Sequence, residues 1–170
     1  MSALVQRILV TAAVIGVGAI GFLLVILPPS LRAVLVQWIH VAAAVIGVGG
    51  IGFLLLILLP STQALSFEQR DLLLRTVMRR FRWASGAVIL LLLTTGLYNI
   101  RLRAWEAPWG PYWKWLTLKI VLAFFVFTIC LLLTLPLTVC DRFRARRQMC
   151  LSIAFALAMI VILISAYLRG

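Results

Sequence analysis

The chain holds one histidine, His40, inside the apolar stretch VLVQWIHVAAAVIGVGG. An imidazole in hydrocarbon needs a hydrogen-bond partner, a metal or a proton to carry. Asn99, Lys119 and Tyr167 stand in other apolar runs, where polar groups are expensive and often functional. These four are the candidate cofactor-binding residues, and His40 is the candidate metal ligand. One imidazole suits the single axial position of a haem b or of a magnesium chlorin such as (bacterio)chlorophyll. Copper calls for more soft or imidazole ligands and zinc for three or four donors. Neither Met nor Cys falls at the depth of His40, so copper is the weaker expectation. Two copies of the chain could bring two histidines to one haem, which leaves a homo-oligomer open. A hydrogen-bonded structural histidine and a proton relay are the alternatives at His40. Snorkelling toward the interface is the alternative for Lys119 and Tyr167, and helix capping for Asn99. No Ser/His/Asp set, carboxylate pair or phosphate loop is present, so no catalytic residue is assigned and the chain is not expected to be an enzyme.

The elements that position these groups are membrane helices. Of 170 residues, 65% are hydrophobic and 12% charged, far from a soluble composition. Five runs near 8–28, 34–59, 83–100, 116–139 and 149–168 are long enough to cross ~30 Å of hydrocarbon. The expected fold is therefore all-α, a single membrane domain over 1–170 with no separate soluble part. The net charge of +12 does not point to nucleic acid, because the arginines collect at span ends. On the N-terminal side stand Arg7, Arg70, Arg75, Arg79, Arg80, Arg82, Arg142, Arg144, Arg146 and Arg147; the other side has Arg32, Arg101, Arg103, Lys114 and Arg169. That bias puts the N-terminus in the cytoplasm and the C-terminus in the periplasm of a bacterial inner membrane. In this orientation His40 lies ~9 Å into its span by the helix rise. His40, Asn99, Lys119 and Tyr167 then fall in the outer leaflet, from four different helices.

The chain opens with a duplication. Residues 4–30 recur at 35–61, differing only at Arg7/Trp38, Leu9/His40, Thr11/Ala42, Ala19/Gly50, Val25/Leu56 and Pro28/Leu59. Residues 1–33 are expected to be an added helix. Its apolar run is long for a signal peptide and lacks an A-x-A-like site, so it is expected to be retained. The second copy alone carries the histidine. Both copies contain G-x-G-x-x-G, at Gly16, Gly18 and Gly21 and at Gly47, Gly49 and Gly52. With no strand before it and no acidic ribose partner, this spacing is not a dinucleotide site. Small residues let helix backbones approach in lipid, so helix packing is the expectation.

Loop 61–82 opens with Ser66-Phe67-Glu68-Gln69, a capping box. Phe67, Leu74, Met78 and Phe81 share one helical face, which predicts an interfacial amphipathic helix feeding the third span. The loop AWEAPWGPYWKW at 104–115 reads as an aromatic belt. Cys130, Cys140 and Cys150 are too few for a disulfide framework and read as small buried hydrophobes.

Residues 34–168 resemble the CopD-like superfamily of small bacterial membrane proteins, named for copper-resistance protein D. The resemblance rests on VLVQWIHVAAAVIGVGGIGFLLLILLP, the RTVMRRFRWASG entry, the LLTTGLYNI helix end and the WLTLKIVLAFFVF start. It implies a four-helix bundle, family-typical positions for His40 and Lys119, and an association with copper uptake or b-type haem. The chain departs from that pattern by its duplicated first helix and its lack of further histidines. The leading expectation is a non-enzymatic accessory or assembly subunit of a larger respiratory or photosynthetic membrane complex. Its partners would be the lipid bilayer and other membrane subunits. The alternatives are a CopD-like haem- or copper-binding protein and a chlorin-binding subunit, each using His40.

Overall fold

The computed structural model describes residues 26–103, 110–134, 143 and 146–168. Those residues are helical with short turns, and no strand occurs among them. Four helical segments are long and apolar enough to cross a membrane: Pro29–Ala64, Phe67–Leu102, Tyr112–Thr134 and Arg147–Tyr167. They contain the second to fifth expected spans, apart from residues 135–139 and Leu168. The first expected span, 8–28, lies outside the described residues except for its last three.

The chain divides into two compact units, Met1–Trp38 and Ile39–Gly170. In the first, the described residues are the opening turns of helix α1, Pro29–Phe53. Proline suits a first helical position, since its fixed φ is helical and its missing N–H would have no acceptor there. Arg32 folds back to donate to the Leu27 carbonyl at 3.0 Å.

In the second unit, α1 runs on into a π-helical segment, Leu54–Leu58. There the Leu59 N–H donates to the Leu54 carbonyl, one residue further back than in an α-helix. Pro60 accounts for the change: it has no N–H, and its ring crowds the carbonyl four residues earlier. A short helix, α2 (Leu59–Ser61), and a 3₁₀ turn, Thr62–Ala64, end the segment.

Helix α3, Phe67–Arg103, is one continuous rod of 37 residues. At 1.5 Å per residue it measures ~55 Å, well beyond the ~30 Å of hydrocarbon. The expected interfacial helix is therefore not a separate element: the same residues form the first turns of α3. Nothing between Phe67 and Trp83 breaks the helix, since neither proline nor glycine occurs there. Its capping box forms, with the Ser66 N–H donating to Gln69 Oε1 at 3.3 Å and the Gln69 N–H to Ser66 Oγ at 3.4 Å. On the expected apolar face, Leu74 and Met78 are buried, but Phe67 is 85% exposed.

Helices α4 (Pro111–Thr134) and α5 (Arg147–Tyr167) pack on each other along their length, and α3 packs on α4. The buried face of α5 is Cys150, Leu151, Ala154, Ala158 and Ile164, at helical spacing. The main core joins Ile51, Leu54 and Leu59 with Leu74 and Met78, Val126, Cys130 and Leu133, and Cys150, Leu151 and Ala158. Most of these lie toward one end of the unit, where α1 and α4 finish and α3 and α5 start, and Ala158 extends the cluster to the middle of α5. That end is the arginine-rich one.

Candidate functional site

At the other end, α1 and α3 meet around His40. His40 Nδ1 lies 2.7 Å from Thr95 Oγ1. Beneath the ring is Gly96, where an added Cβ would stand 3.4 Å from His40 Cε1. The contact continues along both helices in opposite senses. A Cβ on Gly47 would meet Val88 at 3.0 Å, and one on Gly50 would meet Phe81 at 3.2 Å. As numbering rises on α1 it falls on α3, so the pair is antiparallel, with small residues on α1 admitting side chains of α3. Gly52 instead admits Phe155 of α5, at 3.1 Å. The glycine motif of the second copy is thus helical and serves packing at Gly47 and Gly52, while Gly49 has nothing within 4 Å.

The contacts of Thr95 Oγ1 bear on which imidazole nitrogen carries a proton. Thr95 Oγ1 also bonds the Leu91 carbonyl. A carbonyl cannot donate, so the single hydroxyl proton of Thr95 points at Leu91. With the hydroxyl so oriented, Thr95 would accept from a hydrogen on His40 Nδ1. In that neutral tautomer the lone pair is on Nε2. A pairing of this kind orients a histidine and selects its tautomer, as second-sphere partners of metal-bound imidazoles do.

Hydroxyls elsewhere in the spans are satisfied locally. Thr94, Thr128, Thr134, Ser152 and Ser165 each donate to a carbonyl of their own helix one turn back. That is the inexpensive solution for a hydroxyl away from water. Thr95 does the same and also reaches a second helix, which makes it the polar residue the sequence pattern did not single out.

Of the four sequence candidates, His40, Asn99 and Lys119 are half-buried, whereas Tyr167 is 67% exposed. Asn99 follows Thr95 by four residues and so lies on the same face of α3, one turn toward its end. Tyr167 stacks at a tilt on Trp115 of α4, with centroids 5.3 Å apart. Lys119 is one turn beyond Trp115. The residues therefore fall into two pairings, His40 with Thr95 and Tyr167 with Trp115, with Asn99 and Lys119 each one turn away. His40 is eleven residues past Pro29, ~16 Å into α1, and so deeper than the 9 Å expected from a start at 34. Thr95 lies eight residues, ~12 Å, from the end of α3, a comparable depth. Of the aromatic belt, Tyr112, Trp113 and Trp115 are in the first turns of α4, and residues 104–109 lie outside the described residues. Cys130 and Cys150 are buried and free; Cys140 is outside the described residues. Among the described residues no three His, Cys, Asp or Glu side chains stand close enough to hold a metal ion.

No protein-family model, curated protein or solved structure matches the chain.

Proposed function

We infer that this chain is a small, non-enzymatic integral-membrane subunit that assembles within a larger bacterial energy-converting complex. The supporting observation is how little of its apolar surface the chain covers by itself. Of the most apolar stretch of each spanning helix, only 11% to 28% is buried. A bilayer or neighbouring helices must cover the rest. Gly49 and Gly86 have nothing within 4 Å of an added Cβ, and such small residues on open faces suit close approach by another helix. The reading includes five spans in the inner membrane, an N-terminus in the cytoplasm, and residues 1–33 as a helix that extends the lateral surface. Gly49→Trp and Gly86→Trp test it. Each should leave the isolated chain folded yet release it from the complex on a native gel of mildly solubilised membranes. Wild-type protein migrating alone from its own membrane would overturn it.

The geometry at His40 favours a second reading, that of a CopD-like protein with His40 as ligand to a b-type haem or a chlorin. The support is the 2.7 Å contact of His40 Nδ1 with Thr95 Oγ1, which orients the ring within the span. A single oriented imidazole fits the one axial position of a tetrapyrrole; the donor set does not fit a dedicated copper centre. His40 would hold the macrocycle, and Thr95 would position His40. The group itself would supply electron transfer or light absorption. The absorption spectrum of the purified protein decides this: a Soret or red band that His40→Leu abolishes supports the ligand, and a band that survives the substitution refutes it.

A further inference from the structure

Arg82 stands where the arginine-rich start of α3 gives way to its apolar run, and its side chain is half-buried. Met78 and Ser85, each about one turn away along the helix, are buried. Arg82 Nε is buried as well and has no hydrogen-bond partner. Nη1 and Nη2 form no bond either, but they are not sealed. The inner part of a permanent cation is thus enclosed, and the outer edge of its guanidinium is open. Among the described residues no carboxylate answers this charge. Asp71 lies eleven residues earlier, ~16 Å along the helix, and is paired with Arg75 at 2.7 Å. Arg79, Arg80 and Arg82 form no ion pair among the described residues. An enclosed charged donor without an acceptor is costly. Because the charge is delocalised over the guanidinium, an anion on its open edge would stabilise the whole ion.

The neighbouring face of α3 indicates which anion. A helix turns about 100° per residue, so Arg79, Leu90, Leu93 and Leu97 all fall within about 80° of Arg82, and all four are exposed. Two cations therefore stand at the head of a bare apolar stripe that reaches ~22 Å beyond Arg82. Trp83, 78% exposed, is at the same level, and an indole so placed suits the headgroup zone of a bilayer. A phosphate matches the guanidinium edge through paired N–H···O bonds. Acyl chains match the leucine stripe. Arg80 has the same charge and nearly the same depth but faces about 160° away from Arg82, which makes it a control within the same turn.

We propose that Arg82 and Arg79 bind the phosphate of an anionic phospholipid whose acyl chains lie along Leu90, Leu93 and Leu97. Free phosphate shares the recognition chemistry but not the apolar stripe, and the test separates the two. The full chain, purified in a zwitterionic detergent, is titrated with phosphatidylglycerol, phosphatidylcholine or glycerol 3-phosphate, and bound ligand is counted by native mass spectrometry. Phosphatidylglycerol should bind about tenfold more tightly than phosphatidylcholine, whose phosphate carries its own cation, and glycerol 3-phosphate should displace it only weakly. R82Q should lose most of that preference. R82K should keep part of it, since lysine retains the charge without the fork. R80Q should keep all of it. Equal loss in R80Q and R82Q would show diffuse surface attraction and overturn the site. Glycerol 3-phosphate displacing the lipid at equal concentration would overturn the part given to the leucines. Phosphatidylcholine binding as well as phosphatidylglycerol would overturn the lipid itself, in favour of an acidic segment of a partner subunit.

Discussion

Thr95→Val isolates the contact between α1 and α3. Valine keeps the shape of threonine and removes only the hydroxyl. The Leu91 carbonyl keeps its helical bond from the backbone of residue 95, so the ladder is intact. What is lost is the 2.7 Å bond from His40 Nδ1. Hydrogen bonds between helices in a bilayer average ~0.6 kcal/mol and reach ~1.7. Leaving a donor without its acceptor adds ~1–3 kcal/mol when the group is fully buried. His40 is half-buried, so the lower end applies and the total is about 1–2 kcal/mol. His40→Leu should cost less than Thr95→Val. It removes the orphaned donor along with the bond, Thr95 still donates to Leu91, and leucine is what the first copy has at position 9. The double variant should then resemble His40→Leu alone, a coupling equal to the Thr95→Val cost of about 1–2 kcal/mol. The cycle separates this pair from anything else the ring touches. Reversible SDS unfolding in bicelles, followed by tryptophan fluorescence, measures all four species. Additivity within about 0.3 kcal/mol would refute the bond as an interhelical tie.

Three further outcomes follow from the packing. Gly47→Ala should destabilise by about 1–3 kcal/mol, because its Cβ would lie 3.0 Å from the stiff β-branched Val88, whereas Gly49→Ala, with nothing within 4 Å, should be neutral or gain up to ~1 kcal/mol; the same unfolding assay compares them. Ser66→Ala removes one half of a capping box whose bonds measure 3.3 and 3.4 Å, so its cost should sit near ~0.5 kcal/mol, with faster amide exchange over residues 67–69. Leu151→Ala opens a cavity at a side chain only 1% exposed and should cost ~2–4 kcal/mol, measured as a lowered thermal midpoint in detergent.

Much of this architecture was legible in sequence because membrane helices carry a simple code. Apolar run length located four spans, and the Ser66–Gln69 spacing predicted the cap that forms. The glycine pattern pointed to packing, and Gly47 and Gly52 do admit side chains of α3 and α5. The register of contacts was not legible. His40 stood out as the only histidine, but Thr95 did not, because hydroxyls within a span usually bond their own carbonyls, as Thr94 and Thr128 do. The usable signal was its place four residues before Asn99, which puts Thr95 on the face of a residue already under suspicion. The boundary between loop and span at Trp83 is one of composition and not of backbone. Charge density changes there, but nothing in Phe67–Arg103 interrupts backbone hydrogen bonding, so one rod crosses from interface to hydrocarbon. The π-helical stretch was also hidden, although Pro60, its physical cause, was in view.

The two ends of the unit are held by different forces, and this explains why one histidine matters to the assembly whether or not it holds a ligand. At the arginine-rich end, interdigitated leucines, Met78 and two cysteines give many contacts from four helical segments. At the other end the contact between α1 and α3 rests on glycines, one hydroxyl and one imidazole. Apolar helices in lipid have little to gain from burial alone, so their pairing depends on close fit and on hydrogen bonds. A fit between smooth apolar faces tolerates slippage by a whole turn, ~5.4 Å, since the same face is presented again. The pair His40–Thr95 does not tolerate it in one direction, where the imidazole would face Leu91. In the other direction it would face Asn99, a serviceable partner, so the hydrogen bond alone cannot exclude that register. Gly47 opposes it, because the step that offers Asn99 to His40 also carries Val88 out of the notch at Gly47 and brings Leu92 there instead. A branched leucine is larger than the valine the notch already holds at 3.0 Å. Register at this end therefore needs both the polar pair and the glycine, and removing either should loosen the helices without unfolding the leucine-rich end.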